Sequence, residues 1–423
     1  MEVEAPSVTI TNTIFSIQGE FFNKLFLDCY LPHAAEHCIV SAVCKEWRQK
    51  LSQRTHLDFS PRTGESRPPH QISDDCLDEI TKHLPALRSI NLTKCVLISS
   101  RGLAALANNS SSTLRSLQLF QCHQLGDDAA SHIARLIRLE FLGITRTRFS
   151  APAVATMIEP MPDLANLQLH GVETTDGLLD RVVASCPTLK TINLTYARGL
   201  TSPGTIGLVT RLPQLQDVDL SYCDPSTAVF EALARCPNLT RLAAHAASHL
   251  TDACVMPLVA GCPHLETLEL VGAPLTEPAL IQLVGGLRAL RWADLRLVEA
   301  VSDGVIARLV AANPALEHVA LRGCHQLTDA ALRSLAGLSQ LAHLDTAMCL
   351  NLTDEGMLGL LRARRGSLRE LIVPLCAKLT GAVLEEAANM PHMTNIEWVA
   401  NQAVPPEALE RMSREHPGLR LRI

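Results

Sequence analysis

One feature limits what this chain can fold into: an internal repeat. The pattern L-x-x-L-x-L places its first apolar residue at Leu87, Leu114, Leu139, Leu164, Leu189, Leu215 and Leu239. It continues at Leu265, Leu290, Leu316, Leu341, Leu368, Met393 and Leu419. From 87 to 419 is 332 residues in 13 steps, a mean of 25.5, and every step lies between 24 and 27. A period of this length marks stacked supersecondary units, none of which can bury its apolar face alone.

The chemistry inside one copy, Pro314 to Leu335, predicts its structure. Val319 and Leu321 alternate with exposed positions, the period of a short strand with one buried face. Leu327, Leu332 and Leu335 then recur at helical spacing. Between the two, Thr328-Asp329 reads as a helix start, with Thr as N-cap and an acid favoured by the helix dipole. Thr251-Asp252, Ser302-Asp303 and Thr353-Asp354 repeat the device. Proline stands two residues before the anchor in nine of the fourteen copies, where it stops a helix and turns the chain back. The expected fold is α/β: a curved solenoid with a parallel sheet inside and helices outside.

Composition removes several function classes. Lys plus Arg is 37 against 43 Asp plus Glu, a net charge of −6, which argues against a general nucleic-acid binder or a polybasic membrane binder. No apolar run approaches the roughly 18–20 residues that span a bilayer. The start, Met1-Glu-Val-Glu-Ala-Pro6, carries acids where a signal peptide needs bases. The expectation is a cytoplasmic or nuclear protein that is not secreted. Its 14 cysteines are then reduced, and none stands in CxxC or zinc-finger spacing. The Asn-Leu-Thr sequons at Asn91, Asn193, Asn238 and Asn351 are expected by-products of the repeat.

Residues 1–60 do not follow the period. Phe21, Phe22, Leu25 and Phe26 lie at helical spacing up to Pro32, and Ile39, Val43, Trp47 and Leu51 mark a second helix. Such a short piece is marginal alone, so it is expected to dock on the repeats or on a partner. Residues 61–71 read as an exposed loop, and 108–112 as a second polar loop. On the residues alone, the opening helices form either a partner-binding module or a cap that shields the first repeat.

The repeats resemble leucine-rich repeats of the cysteine-containing subtype, with Cys95, Cys122, Cys223, Cys324, Cys349 and Cys376 three positions beyond the second strand leucine. These cysteines, and Cys186, Cys236 and Cys262 before proline, read as small buried hydrophobes. Glu20-Phe-Phe-Asn-Lys-Leu-Phe-Leu-Asp-Cys-Tyr-Leu-Pro32 and Ile39-Val-Ser-Ala-Val-Cys-Lys-Glu-Trp-Arg48 are similar to an F-box. Leu57-Asp-Phe59 resembles the strand by which such proteins enter their repeats. The resemblance implies a tail over 1–13, an all-α F-box-like module over 14–60, and a solenoid of about 13–14 repeats over 72–423. It also implies a Skp-type adaptor of a cullin-based ubiquitin ligase as partner, met through Phe22, Leu25, Phe26, Leu31, Pro32, Val43, Cys44 and Trp47. The alternative is a non-catalytic repeat scaffold with a helical cap and no ubiquitin link.

No P-loop, GxGxxG between strand and helix, HExxH or GxSxG is present. His245 and His249 stand four apart, but the repeat puts one on the strand side and the other in the following turn. Solvated histidines are expected there rather than a zinc pair. No catalytic residue, cofactor or metal is expected. The position between the two strand leucines carries five acids and no base, among them Asp219, Glu269, Asp294 and Asp345. Neighbouring positions add Phe141, Tyr196, Tyr222 and Trp292, with Arg296 and Arg322 as opposing charge. Aromatic and Arg side chains favour binding hot spots. These ten residues are the expected substrate patch, and a basic or neutral protein segment is expected to meet its Tyr222–Trp292 region. The row lacks the Lys and Arg crowding that would seat an inositol polyphosphate.

Overall fold

The computed structural model describes residues 53, 55–60, 72–401 and 404–423. The adaptor-facing positions Phe22, Leu25, Phe26, Leu31, Pro32, Val43, Cys44 and Trp47 lie outside the described residues, as does the loop expected over 61–71. The chain divides into two compact units, one ending at Leu164 and the other running from Ala165 to Ile423.

In the first unit the strands are β1 (His56–Asp58), β2 (Ser89–Asn91), β3 (Ser116–Gln118) and β4 (Phe141–Gly143), all parallel and in sequence order. Leu57 pairs with Ile90, and Leu57 and Phe59 are buried, so the strand expected to lead into the repeats is present. The second unit holds β5 (Asn166–Gln168), β6 (Thr191–Asn193), β7 (Asp217–Asp219), β8 (Arg241–Ala243), β9 (Thr267–Glu269) and β10 (Trp292–Asp294). It continues with β11 (His318–Ala320), β12 (His343–Asp345), β13 (Glu370–Ile372), β14 (Asn395–Glu397) and β15 (Arg420–Arg422). Each pairs in parallel with the next, and a helix such as Asp303–Ala312 or Asp354–Ala363 follows most strands. This is the α/β leucine-rich-repeat architecture expected from the period. The anchor leucines Leu189, Leu215, Leu290, Leu316 and Leu341 are fully buried, each contributing about 1.5–3 kcal/mol of transfer free energy.

Three kinds of tie recur between neighbouring repeats. The first is the helix-start acid. Thr353 donates its backbone N–H and its hydroxyl to the two carboxylate oxygens of Asp329, at 2.9 and 2.6 Å. Thr328 does the same to Asp303, Thr276 to Asp252 and Thr380 to Asp354. The acid therefore grips the next repeat as well as favouring its own helix dipole. Gly356 is required beside this grip, because a Cβ there would lie 2.5 Å from Asp329 Oδ1. Capping by the hydroxyl itself holds at Ser302 and Thr328, but Thr251 and Thr353 make no such bond.

The second tie is the cysteine. Cys223 Sγ donates to Leu194 O at 2.8 Å, Cys324 Sγ to Leu295 O at 3.3 Å, and Cys349 Sγ to Leu321 O at 3.2 Å. The thiols are small and mostly buried, as expected, and they also satisfy a carbonyl one repeat back. Burial pushes the thiols of Cys122, Cys262 and Cys324 up to about 12, and those of Cys223 and Cys376 to about 11. They keep the proton that makes them donors.

The third tie is a turn at the strand end. Val298 N–H donates to Leu295 O at 3.3 Å, and Leu297 between them has φ 59°. A left-handed residue at this place is what a type II turn demands. Equivalent positions are filled by Lys94, Gln121, Tyr196, Tyr222, Met348 and Leu375, all with positive φ, where glycine would be free of strain. Each non-glycine residue there costs about 1–2 kcal/mol. In return its N–H reaches the next repeat, as from Leu297 to Arg322 O at 2.8 Å.

The polar loop expected over 108–112 is not one at its start, since the helix Ser100–Ser110 runs through it. Asn109 Nδ2 donates to Asp78 Oδ1 at 3.1 Å and Thr81 Oγ1 at 2.9 Å, so the preceding helix absorbs its polarity.

Asp329→Ala should lower stability by about 1–3 kcal/mol, the worth of its charged hydrogen bonds, and Thr353→Val should not add to that loss in a double-mutant cycle followed by urea unfolding. Full additivity would remove the tie. Native Cys324 and Cys349 should react with a thiol reagent at neutral pH only as fast as their repeats open, so urea should accelerate labelling sharply. Rapid labelling without denaturant would contradict the buried donor role.

Candidate functional site: the open face of the second unit

Strand side chains on the face not covered by helices form three columns in the second unit. The first strand residue reads Asp217, Arg241, Thr267, Trp292, His318, His343 and Glu370 along β7–β13. The third reads Asp219, Ala243, Glu269, Asp294, Ala320, Asp345 and Ile372. The turn that follows supplies Ser221, His245, Arg296 and Arg322.

The expected acidic row does not present free carboxylates. Asp219, Asp294 and Asp345 are buried, and each accepts the backbone N–H two residues ahead: Ser221 at 3.0 Å, Arg296 at 3.1 Å and Ala347 at 3.0 Å. Asn91 and Asn193 make the same bond to Thr93 and Thr195, which accounts for two of the Asn-Leu-Thr sequons. This column is polar because it builds the turn.

Each acid also meets a cation. Arg296 forks onto Asp294, with Nη2–Oδ2 at 2.6 Å, and Arg322 Nε reaches Asp345 Oδ2 at 3.2 Å. Arg241, overlooked in the sequence, sits among three carboxylates: Asp217 at 2.8 Å, Glu269 at 2.9 Å and Asp219 at 3.6 Å. Burial alone would push the Glu269 carboxyl up, but His245 and Arg241 outweigh it and hold Glu269 below the ordinary carboxylate range. Asp217 goes the other way, because burial prevails over Arg241 there. Burial works against the charge on Arg241, and Glu269 with Asp217 more than restores it.

His245 is not a solvated histidine: its Nε2 bonds Glu269 Oε2 at 3.2 Å on the open face. His249 lies in the turn and meets Asp224 at 3.5 Å, so the two do not converge. His245, Glu269 and Asp294 bring ligand atoms within 4.8 Å of one another. Arg241 and Arg296 already occupy both carboxylates, so this is an ion-pair network.

The rings fall into two groups. Tyr196 and Tyr222 stack at 4.3 Å and 3°, each 46% exposed, with His170 and His245 beyond them at 5.5 and 6.0 Å. Trp292, 37% exposed, stacks on His318 at 4.2 Å, and His318 on His343 at 5.5 Å. His343 Nδ1 meets Glu370 at 3.1 Å. The sequence singles out Trp292 of this column but not the two histidines. The first strand position shows three rings in successive repeats. Phe141 belongs to the first unit, where its ring crosses Gly143.

A family model described as Leucine Rich repeat matches residues 110–134. F-box/LRR-repeat protein 4 of Bos taurus is 29% identical over 46% of this chain and 28% of its own length. A putative F-box/LRR-repeat protein 23 of Arabidopsis thaliana is 24% identical over 46% of this chain and 47% of its own. The chain thus spans under half the length of these relatives. A chain in a crystal structure of the Rad7 and Elc1 complex in yeast is similar in fold, with TM-score 0.58 and 18% identity over 82% of this chain and 86% of that one. Fold and repeat chemistry define a leucine-rich-repeat protein. The curated relatives, with the family model, support one of the F-box/LRR-repeat kind.

Burial, followed by the neighbouring His343, lowers the pKa of His318 from its ordinary 6.5. A lowered folded value means that its contribution to stability is intact above 6.5 and is lost as pH falls from there through the folded value. His318→Phe, which keeps the stack, should therefore flatten the loss of stability between neutral and mildly acidic pH, measured by urea unfolding at stepped pH. An unchanged slope would show that another group titrates.

Proposed function

We propose that this chain is the substrate-recognition subunit of a cullin-based (SCF-type) ubiquitin ligase. The repeats select a protein substrate, and residues 14–60 hold a Skp-type adaptor through Phe22, Leu25, Phe26, Leu31, Pro32, Val43, Cys44 and Trp47. The observation that carries the reading is the open face of the second unit. Rings and paired charges gather there on successive repeats, in a chain whose relatives are named F-box/LRR-repeat proteins.

The chain transfers nothing itself in this reading. Its mechanism is proximity, since a substrate held beside a charged conjugating enzyme reacts as though intramolecular. Substrate contacts comprise Phe141 in the first unit and Tyr196, Tyr222 and Trp292 in the second. Asp219, Glu269, Asp294 and Asp345 set a negative field, tempered by Arg296 and Arg322, which suits a basic or neutral segment. The work is done in the cytoplasm or nucleus, without a cofactor. No helix among the described residues is long and apolar enough to cross a membrane.

The full chain co-expressed with a Skp-type adaptor should elute with it from a sizing column. Trp47→Ala together with Leu31→Asp should lower that recovery about tenfold or more, the scale of losing a hot spot, while Trp292→Ala leaves it intact. Separate elution would leave a repeat scaffold with a helical cap and no ubiquitin link.

A further inference from the structure

One ring of the Trp292 stack has an uncovered face. Its indole lies on His318 of β11 at 4.2 Å and 16°. On its other side is β9, where the residue paired with Trp292 is Thr267. The indole also lies 6.3 Å from His343, so it leans over the two histidines with its second face uncovered, and 37% of Trp292 stays exposed. Beyond Thr267 the column resumes with its paired residue, Arg241, whose guanidinium is drawn to Asp217 and Glu269. Strands lie about 4.8 Å apart, so Thr267 leaves a notch one side chain wide between Arg241 and Trp292.

Charge borders this notch. Glu269 and Asp294 are the third residues of β9 and β10, and with His245 they bring polar atoms within 4.8 Å of one another. Four carboxylates here, from Asp217, Asp219, Glu269 and Asp294, share two guanidinium groups, those of Arg241 and Arg296. The balance is two negative charges in excess. A divalent ion would have to strip Arg241 and Arg296 from their partners to coordinate oxygen directly. A carboxylate has about four lone-pair sites. Asp294 already accepts four bonds from Arg296, whereas Glu269 Oε2 meets only His245 among the described residues, so a further guanidinium would use Glu269.

We propose that the open indole face of Trp292, with Glu269 on the neighbouring strand, is a subsite for an arginine side chain of a partner protein. Arginine fits better than lysine because its planar group stacks on indole while its edge still donates to carboxylates. Nucleobases could stack equally well, but their phosphates would meet the excess negative charge. The assignment rests on reading this face as a recognition surface. It does not depend on the ubiquitin connection.

The probe is a fluorescein-labelled Gly/Ser peptide carrying two arginines, with matched peptides carrying lysine or the uncharged isostere citrulline. Binding to the purified full chain is followed by anisotropy and by tryptophan emission, with Trp292→Ala separating the signal of Trp292 from those of Trp47 and Trp398. The arginine peptide should bind about tenfold tighter than the citrulline one and several-fold tighter than the lysine one, and should weaken with salt. Trp292→Ala should cost about tenfold. Glu269→Gln, which removes the carboxylate charge and leaves the indole open, should weaken binding several-fold, with circular dichroism confirming that both variants fold. Equal affinity for the citrulline peptide, no binding of the arginine peptide, or wild-type affinity in both variants overturns the proposal. So does stronger quenching by a single-stranded oligonucleotide of equal length. Adaptor capture by the full chain is read separately, so failure here and failure of the ligase reading are distinct results.

Discussion

Every repeat depends on hydrogen bonds that it cannot make within itself. Its strand pairs only with neighbouring strands. Where a copy has a helix-start acid, as at Asp329, the acid finds donors in the next repeat, and where it has a thiol, as at Cys324, the thiol finds a carbonyl in the previous one. Left alone, a copy would expose its leucines and strand an unpaired carboxylate, a cost no unit of about 25 residues could offset. Stacking converts each liability into a tie, and this fixes which residue types recur. A side chain with two acceptor oxygens is needed at the helix start, and Glu277 can stand in for Asp by bonding Ser302 Oγ. A small donor is needed at the cysteine position, and the turn must tolerate positive φ.

The same requirement shapes the open face. Asp219, Asp294 and Asp345 stand there first as turn formers, so their charge comes with the backbone geometry. Arg241, Arg296 and Arg322 then neutralise part of what the turns impose. What remains for recognition is the surplus: the excess of carboxylates around Arg241, and rings whose placement no turn requires. Tyr196 on Tyr222 and Trp292 on His318 are spaced by the sheet itself, since neighbouring strands set side chains at about stacking distance.

The fold was legible because its signals are periodic. Anchor leucines, the Thr-Asp starts and the prolines before each strand report the same unit at every level. Asn109 was misread because its polarity is answered by Asp78 and Thr81 of the preceding helix, a contact that only stacking creates. The site was half legible. Trp292, Tyr196 and Tyr222 stand out in a chain with three Trp and three Tyr. His318, His343 and Arg241 did not, because histidine and arginine are common and their importance comes from neighbours more than twenty residues away. The acids were found but overvalued, since a linear pattern cannot tell a displayed carboxylate from one folded back onto its own turn.

The left-handed turn position carries a conflict between durability and recognition. Glycine fills it at Gly171, Gly272 and Gly323, and there the backbone is relaxed and shows nothing to the outside. Tyr196, Tyr222, Leu297 and Leu375 hold the same strained conformation and leave about half of their surface open. Engineering that chose the residue best suited to each φ would install glycine throughout, and the chain would grow hardier while its rim went blank.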